Sequence, residues 1–170
     1  DGILTDDFSV VLNDPDIHIV VEVMGGEIPA ADYLNQLLKN GKSVVTANKE
    51  VMAKHGPLLM AAAAHSGAEL RFEASVGGGV PIGGPLQNDL LANEIISIRA
   101  IINGTTNFIL TKMAKEKMEF TSALAEAQSL GYAEPDPTDD VEGIDAAYKI
   151  AILASLAFHT EVSPKNVYTE

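Results

Sequence analysis

Two hydrophobic periods alternate along the first half of the chain and mark its elements. Residues 17–23 (IHIVVEV) form a nearly unbroken β-branched run, which predicts a buried strand of a parallel sheet. Gly25 and Gly26 end it. Pro29 then stands where a helix begins, and Tyr33, Leu34, Leu37 and Leu38 follow at helical spacing over residues 30–39. Asn40-Gly41 closes that helix. A second strand is predicted at 43–46 (SVVT). A helix follows over 51–64, with a break expected at Gly56-Pro57 and an end at Ser66-Gly67. Residues 69–76 (ELRFEASV) alternate in polarity and predict a third strand. Strand–helix–strand–helix–strand at this spacing is an α/β pattern with right-handed crossovers.

The pattern then changes. Residues 77–85 (GGGVPIGGP) are a Gly/Pro segment and the expected domain boundary, which divides the chain into 1–79 and 80–170. Beyond it the periodicity predicts a short helix at 86–91, a strand at 94–102, a turn at Asn103-Gly104 and an amphipathic helix at 106–115. Thr121 is placed to cap a helix reaching Leu130, with Gly131 just past its end. Residues 133–142 (AEPDPTDDVE) read as irregular and acidic, and 143–158 as a helix apolar nearly all the way round. No internal repeat is visible.

Composition narrows the function classes. Hydrophobic residues make up 46% of the 170 positions and charged ones 21%, which is globular. The longest apolar runs, 57–64 and 150–158, fall far short of the ~18 residues of a membrane span. No signal peptide opens the chain, so a cytoplasmic protein without membrane partners is expected. The absence of cysteine excludes disulfides, thiolate metal sites and a cysteine nucleophile. A net charge of −13, from 11 basic against 24 acidic residues, repels a phosphate backbone, so no nucleic-acid partner is expected. The chain opens on Asp1 rather than Met, as a processed product or a fragment would.

The last helix is the most informative element. In IDAAYKIAILASLAF only Asp145 and Lys149 are charged, at i and i+4 on one face. A helix apolar on every side is normally buried, so the pair is expected in an interior cleft. There an ammonium kept charged by its carboxylate can give a proton to a developing alkoxide. A structural ion pair, or a lysine snorkelling to solvent, fits the same pattern. The acidic segment just before this helix fits a solvated loop, and also a set of carboxylates holding a substrate's ammonium. Lys49, in TANK at the end of the second predicted strand, lies where open α/β sheets bind ligands; a surface lysine is the alternative. Gly25, ending the first strand, qualifies in the same way. The glycines at 77–79 allow carbonyls to point at a cation. They make no dinucleotide fingerprint, because the third glycine of G-x-G-x-x-G falls on Ile82. His18, His55, His65 and His159 show no metal spacing.

The stretches VVEVMGG, VTANKE, EASVGGGVPI, NGTTNFILTKM and LGYAEPDPTDDVEGIDAAYKI, in that order, together resemble the homoserine dehydrogenase family. That resemblance implies the C-terminal part of a Rossmann-type parallel-sheet domain followed by part of an α+β catalytic and dimerisation domain. It implies NAD or NADP as cofactor, reduction of aspartate 4-semialdehyde to homoserine in threonine and methionine biosynthesis, and a homodimer. By the same resemblance Lys149 is the proton donor, with Asp145 orienting it and Lys49 beside the nicotinamide. Glu134 and Asp145 bind homoserine, with Asp140 close by. Gly131 contacts the cofactor through its backbone, and Gly25 is a further cofactor candidate. Glu73, Val76, Gly78 and Val80 form a monovalent cation site, usually sodium, built largely of carbonyls. The family's G-x-G-x-x-G turn is missing from these residues. The chain is therefore expected to be the middle of such an enzyme and inactive alone. The competing reading is a non-catalytic folded core with a dimer interface and a cation site. An aspartate-semialdehyde dehydrogenase is excluded, since its acyl-enzyme chemistry needs a cysteine.

Overall fold

The computed structural model describes residues 4–169. Three parallel strands, β1 (Ile19–Glu22), β2 (Ser43–Thr46) and β3 (Leu70–Arg71), lie in the order β1-β2-β3. Helices α2 (Ala30–Lys39) and α3 (Lys49–Ser66) connect them, as the alternating pattern predicts. The register pairs Val20 with Val44 and Glu22 with Thr46, so these side chains share one face. That face packs under α2 and α3, against Leu34, Leu37, Leu38, Val51 and Leu59, all fully buried. The helix α1 (Phe8–Asn13), which the periodicity did not reveal, is capped by Asp7 and stacks Phe8 on Tyr33 of α2.

Several expectations are corrected. Only one face of β1 is covered: Ile19, Val21 and Val23 remain 64%, 63% and 75% exposed, where a strand buried on both faces was expected. The third strand stops at Arg71. The hydroxyl and the N–H of Ser75 both donate to the Phe72 carbonyl, which winds Glu73–Ser75 into a 3₁₀ turn. Helix α3 runs unbroken through Pro57. Buried side chains on both sides of the proline, Val51 and Met52 before it and Leu59, Ala62 and Ala63 after it, outweigh one missing N–H.

In the second half, Pro85–Asp89 forms a π-helical turn. Residues 94–102 form no helix and pair with no strand among the described residues. Ile95 and Ile98 pack on the core, while Ile96 and Ile101 face outward. Helix α4 (Gly104–Glu116) is capped by Asn103 rather than preceded by a free turn, and α5 (Phe120–Ser129) starts after Glu119, not at Thr121. The acidic segment contains a short helix, α6 (Thr138–Val141). Helix α7 (Ile144–Ala157) buries Ile152, Leu153 and Ala157 in the same core as α2 and α3. It packs on α3 and, with Leu86, Ile95 and Ile98, joins the second half to the core of the first. A smaller cluster, Ile109, Ala123, Ala127 and Ala133, holds α4 to α5. Among the described residues no helix is long and apolar enough to cross a membrane.

Candidate active site

The site forms where the carboxyl ends of β1 and β2 meet the N-terminal turn of α7. Lys49 is the first residue of α3, and its exact height above the sheet is set by Asn48. The Asn48 side chain accepts from the Val51 N–H (3.1 Å) and donates to the Gly26 carbonyl (2.8 Å), so one residue caps α3 and fastens the glycine loop after β1. From α7, Asp145 and Lys149 stack as their spacing predicts, Nζ to Oδ2 2.7 Å apart. The other oxygen of Asp145 pairs with the Lys49 ammonium. One carboxylate, 4% exposed, thus joins two lysines from different halves of the chain.

Asn103 completes the junction. Its side-chain amide donates to Asp145 Oδ2 (2.9 Å) and to Asp140 Oδ1 (2.6 Å), while its oxygen caps α4. Lys149 also donates to the Ile102 carbonyl (2.9 Å). Burial pushes the Asp145 pKa up, but hydrogen bonds from Lys149, Lys49 and Asn103 outweigh it and leave the pKa below the ordinary carboxylate value. The carboxylate is therefore ionised and holds both ammonium groups in fixed positions. Two ammonium donors converge on one buried carboxylate, with Asp140 joined to it through Asn103, and such fixed donors are suited to an oxygen that gains negative charge during reaction.

The structure thus brings together Lys49, Asp145, Lys149 and, through Asn103, Asp140. Glu134 and Gly131 lie on the loop after α5, which is tied to α4 by the Thr105 hydroxyl donating to the Tyr132 carbonyl (2.6 Å). The Glu134 side chain is exposed, and no hydrogen bond or ion pair among the described residues joins its carboxylate to the cluster. Gly131 takes φ +78°, the left-handed conformation that ends α5. Gly25 sits exposed on the loop that Asn48 holds.

The candidate cation residues cluster on the segment after β3. The Glu73 carboxylate accepts from the N–H groups of Ile82 (2.6 Å), Gly83 (2.8 Å) and Gly84 (2.6 Å). These bonds, that from Ile82 foremost, lower its pKa against the opposing effect of desolvation. Its charge is spent on the loop, and its backbone carbonyl accepts from the Val76 N–H (3.4 Å). Among the described residues no group of His, Cys, Asp or Glu side chains has the arrangement to hold a metal.

Asn48 and Asn103 carry much of this geometry, and neither was singled out from the sequence. Asn103 reads as a turn residue and Asn48 only as part of TANK at a strand end; the available signal was an asparagine immediately before a helical run, which is the N-cap position.

A family model described as homoserine dehydrogenase matches residues 81–170, and one described as the NAD binding domain of homoserine dehydrogenase matches residues 1–73. The homoserine dehydrogenase of Bacillus subtilis is 50% identical over 165 residues, which is 97% of this chain and 38% of that protein. That of Synechocystis is 50% identical over 99% of this chain and 39% of its own length. A homoserine dehydrogenase structure from Thiobacillus denitrificans superposes with a TM-score of 0.93 at 49% identity, covering 98% of this chain and 38% of that one. A hyperthermophilic archaeal homoserine dehydrogenase in complex with NADPH gives a TM-score of 0.80 at 37% identity, over 89% and 49%. The chain spans less than half the length of these relatives.

Proposed function

Because this chain belongs to the homoserine dehydrogenase family, we propose that it carries the proton-transfer and substrate-binding groups of an NAD(P)-dependent enzyme that interconverts aspartate 4-semialdehyde and homoserine. The observation that carries the proposal is the Asp145 junction with Lys149 and Lys49. When bound, the nicotinamide supplies a hydride to the aldehyde carbon. Lys149 donates a proton from Nζ to the carbonyl oxygen, and Asp145 keeps that ammonium charged and aimed. Lys49, with its side chain 42% exposed, is the group that meets the cofactor and substrate. Glu134 and Asp140 hold the substrate's ammonium beside Asp145.

The backbones of Gly25 and Gly131 contact the cofactor, a reading supported for Gly25 by its place on the loop that Asn48 holds at the end of β1. The carbonyls of Glu73, Val76, Gly78 and Val80 hold sodium or a similar ion. Residues 1–79 belong to the nucleotide-binding domain and 80–170 to the catalytic and dimerisation domain of a cytoplasmic homodimer working in threonine and methionine biosynthesis. The test is homoserine-dependent reduction of NADP⁺ or NAD⁺ by the full-length gene product, with and without sodium. Turnover with either cofactor is expected; none with both overturns the reading.

A further inference from the structure

Glu22 is an acidic residue in a strand core, 5% exposed, and no cation pairs with it among the described residues. A buried carboxylate is costly unless its oxygens are filled. Here each oxygen has one partner. Oε1 accepts from the Met24 N–H (2.7 Å), and Oε2 accepts from the Thr46 hydroxyl across the Glu22–Thr46 register pair. The Thr46 oxygen in turn accepts from the Asn48 N–H (3.0 Å). Asn48 then caps α3 through Val51 and returns to the glycine loop through the Gly26 and Met24 carbonyls, at 2.8 and 3.4 Å.

These bonds close a ring. It starts at Glu22, crosses β2 at Thr46, passes to the cap of α3, and comes back to the loop after β1. Glu22 accepts at both oxygens, the Thr46 hydroxyl donates to Glu22 and accepts from the Asn48 N–H, and the Asn48 side-chain amide donates onward to the loop carbonyls. Lys49 is the next residue after Asn48. We propose that Glu22, acting through Thr46 and Asn48, is a positioning residue that locks the Met24–Gly26 loop and the Lys49 ammonium into one rigid unit. The proposal rests on the assignment of that loop and Lys49 to the cofactor and substrate site.

The experiment uses the full-length gene product. Glu22→Gln keeps the shape but replaces the oxygen that accepts from Thr46 with an N–H donor, which leaves the Thr46 hydroxyl hydrogen without its acceptor. It should raise the cofactor KM and lower kcat together, each by about 10-fold, as for a misplaced catalytic group. Thr46→Val should do the same, while Thr46→Ser, which keeps the hydroxyl, should stay within roughly twofold of the parent. A purely structural role would make Thr46→Ser and Thr46→Val differ in melting temperature but not in KM. Hydrogen exchange on the unaltered protein covers a variant that fails to fold: the Met24 and Asn48 amides should exchange at a common rate and slow together when NADPH is added. Independent rates, or Glu22→Gln with parental KM and kcat, overturn the proposal. Lys49→Ala separates the two claims. If it cripples turnover while Glu22→Gln does not, the ring alone is wrong; if it changes nothing, the site assignment fails and the proposal with it.

Discussion

Asp145 shows how much one carboxylate can organise. Its folded pKa lies below the ordinary 3.8, so its ion pairs contribute fully above that value and are lost as pH falls through the lower folded pKa. Asp145→Asn should therefore cost about 1–3 kcal/mol at neutral pH, and the gap between variant and parent should close as pH drops below 3.8, measured by urea unfolding. A gap that is flat with pH would mean that the carboxylate's charge contributes nothing. Lys149→Ala should lower kcat of the full-length gene product by roughly 10²-fold or more, the scale of a positioned general acid, with little change in NADPH binding. Glu134→Gln should raise KM for homoserine by about 10- to 150-fold, the equivalent of about 1.5–3 kcal/mol for a charge-assisted contact, and leave cofactor affinity alone. At this scale the sequence was informative where charge stood out against an apolar helix, as at Asp145 and Lys149. It was silent on Asn103, whose importance comes from Asp140 and Asp145 meeting it across 37 and 42 residues of chain.

Elements were legible where one strong local pattern decided them, and not where tertiary hydrogen bonds did. Both α2 and the final helix follow from spacing alone. The end of β3 does not, because the turn that stops it is made by Ser75 reaching back to Phe72. The 94–102 segment has the alternation of a strand but finds no partner among the described residues, and periodicity carries no information about pairing. The loop between the halves depends on glycine at Gly77, where φ is +87° and an added Cβ would come within 2.9 Å of the Val80 carbonyl oxygen. Gly77→Ala should cost about 1–2 kcal/mol from the left-handed backbone alone, more with the clash, read as a fall in the urea midpoint. Since the displaced atom is a carbonyl of the proposed cation site, the variant should also lose stimulation by sodium. Retained stimulation would place the cation elsewhere.

At the scale of the whole molecule, the open face of the sheet dominates. Ile19 and Val21 of β1 and Val23 just past it lie in a row, with Val45 of β2 beside Val21, and among the described residues β1 is an edge strand of the sheet. Ile96 and Ile101 add apolar surface on the unpaired 94–102 segment, at 89% and 79% exposed. A contiguous apolar face beside an edge strand is a site of association. The 170-residue polypeptide, expressed by itself, should bind a hydrophobic dye and self-associate with rising concentration in sedimentation velocity. Its nicotinamide affinity should also be weak. Pyrophosphate binding in sheets of this kind relies on backbone N–H groups at a glycine-rich strand–helix turn with the helix dipole behind them, and these residues contain no G-x-G-x-x-G. The ring around Glu22 and the Asp145 junction position side chains, but they offer no such row of amides. Titration of the isolated polypeptide with NADPH, followed by fluorescence or calorimetry, should show no saturation below about millimolar concentration, where binding is worth only about 4 kcal/mol, and no turnover of homoserine. Micromolar binding would mean that the lysines and loop glycines described above are sufficient to hold the cofactor without that turn.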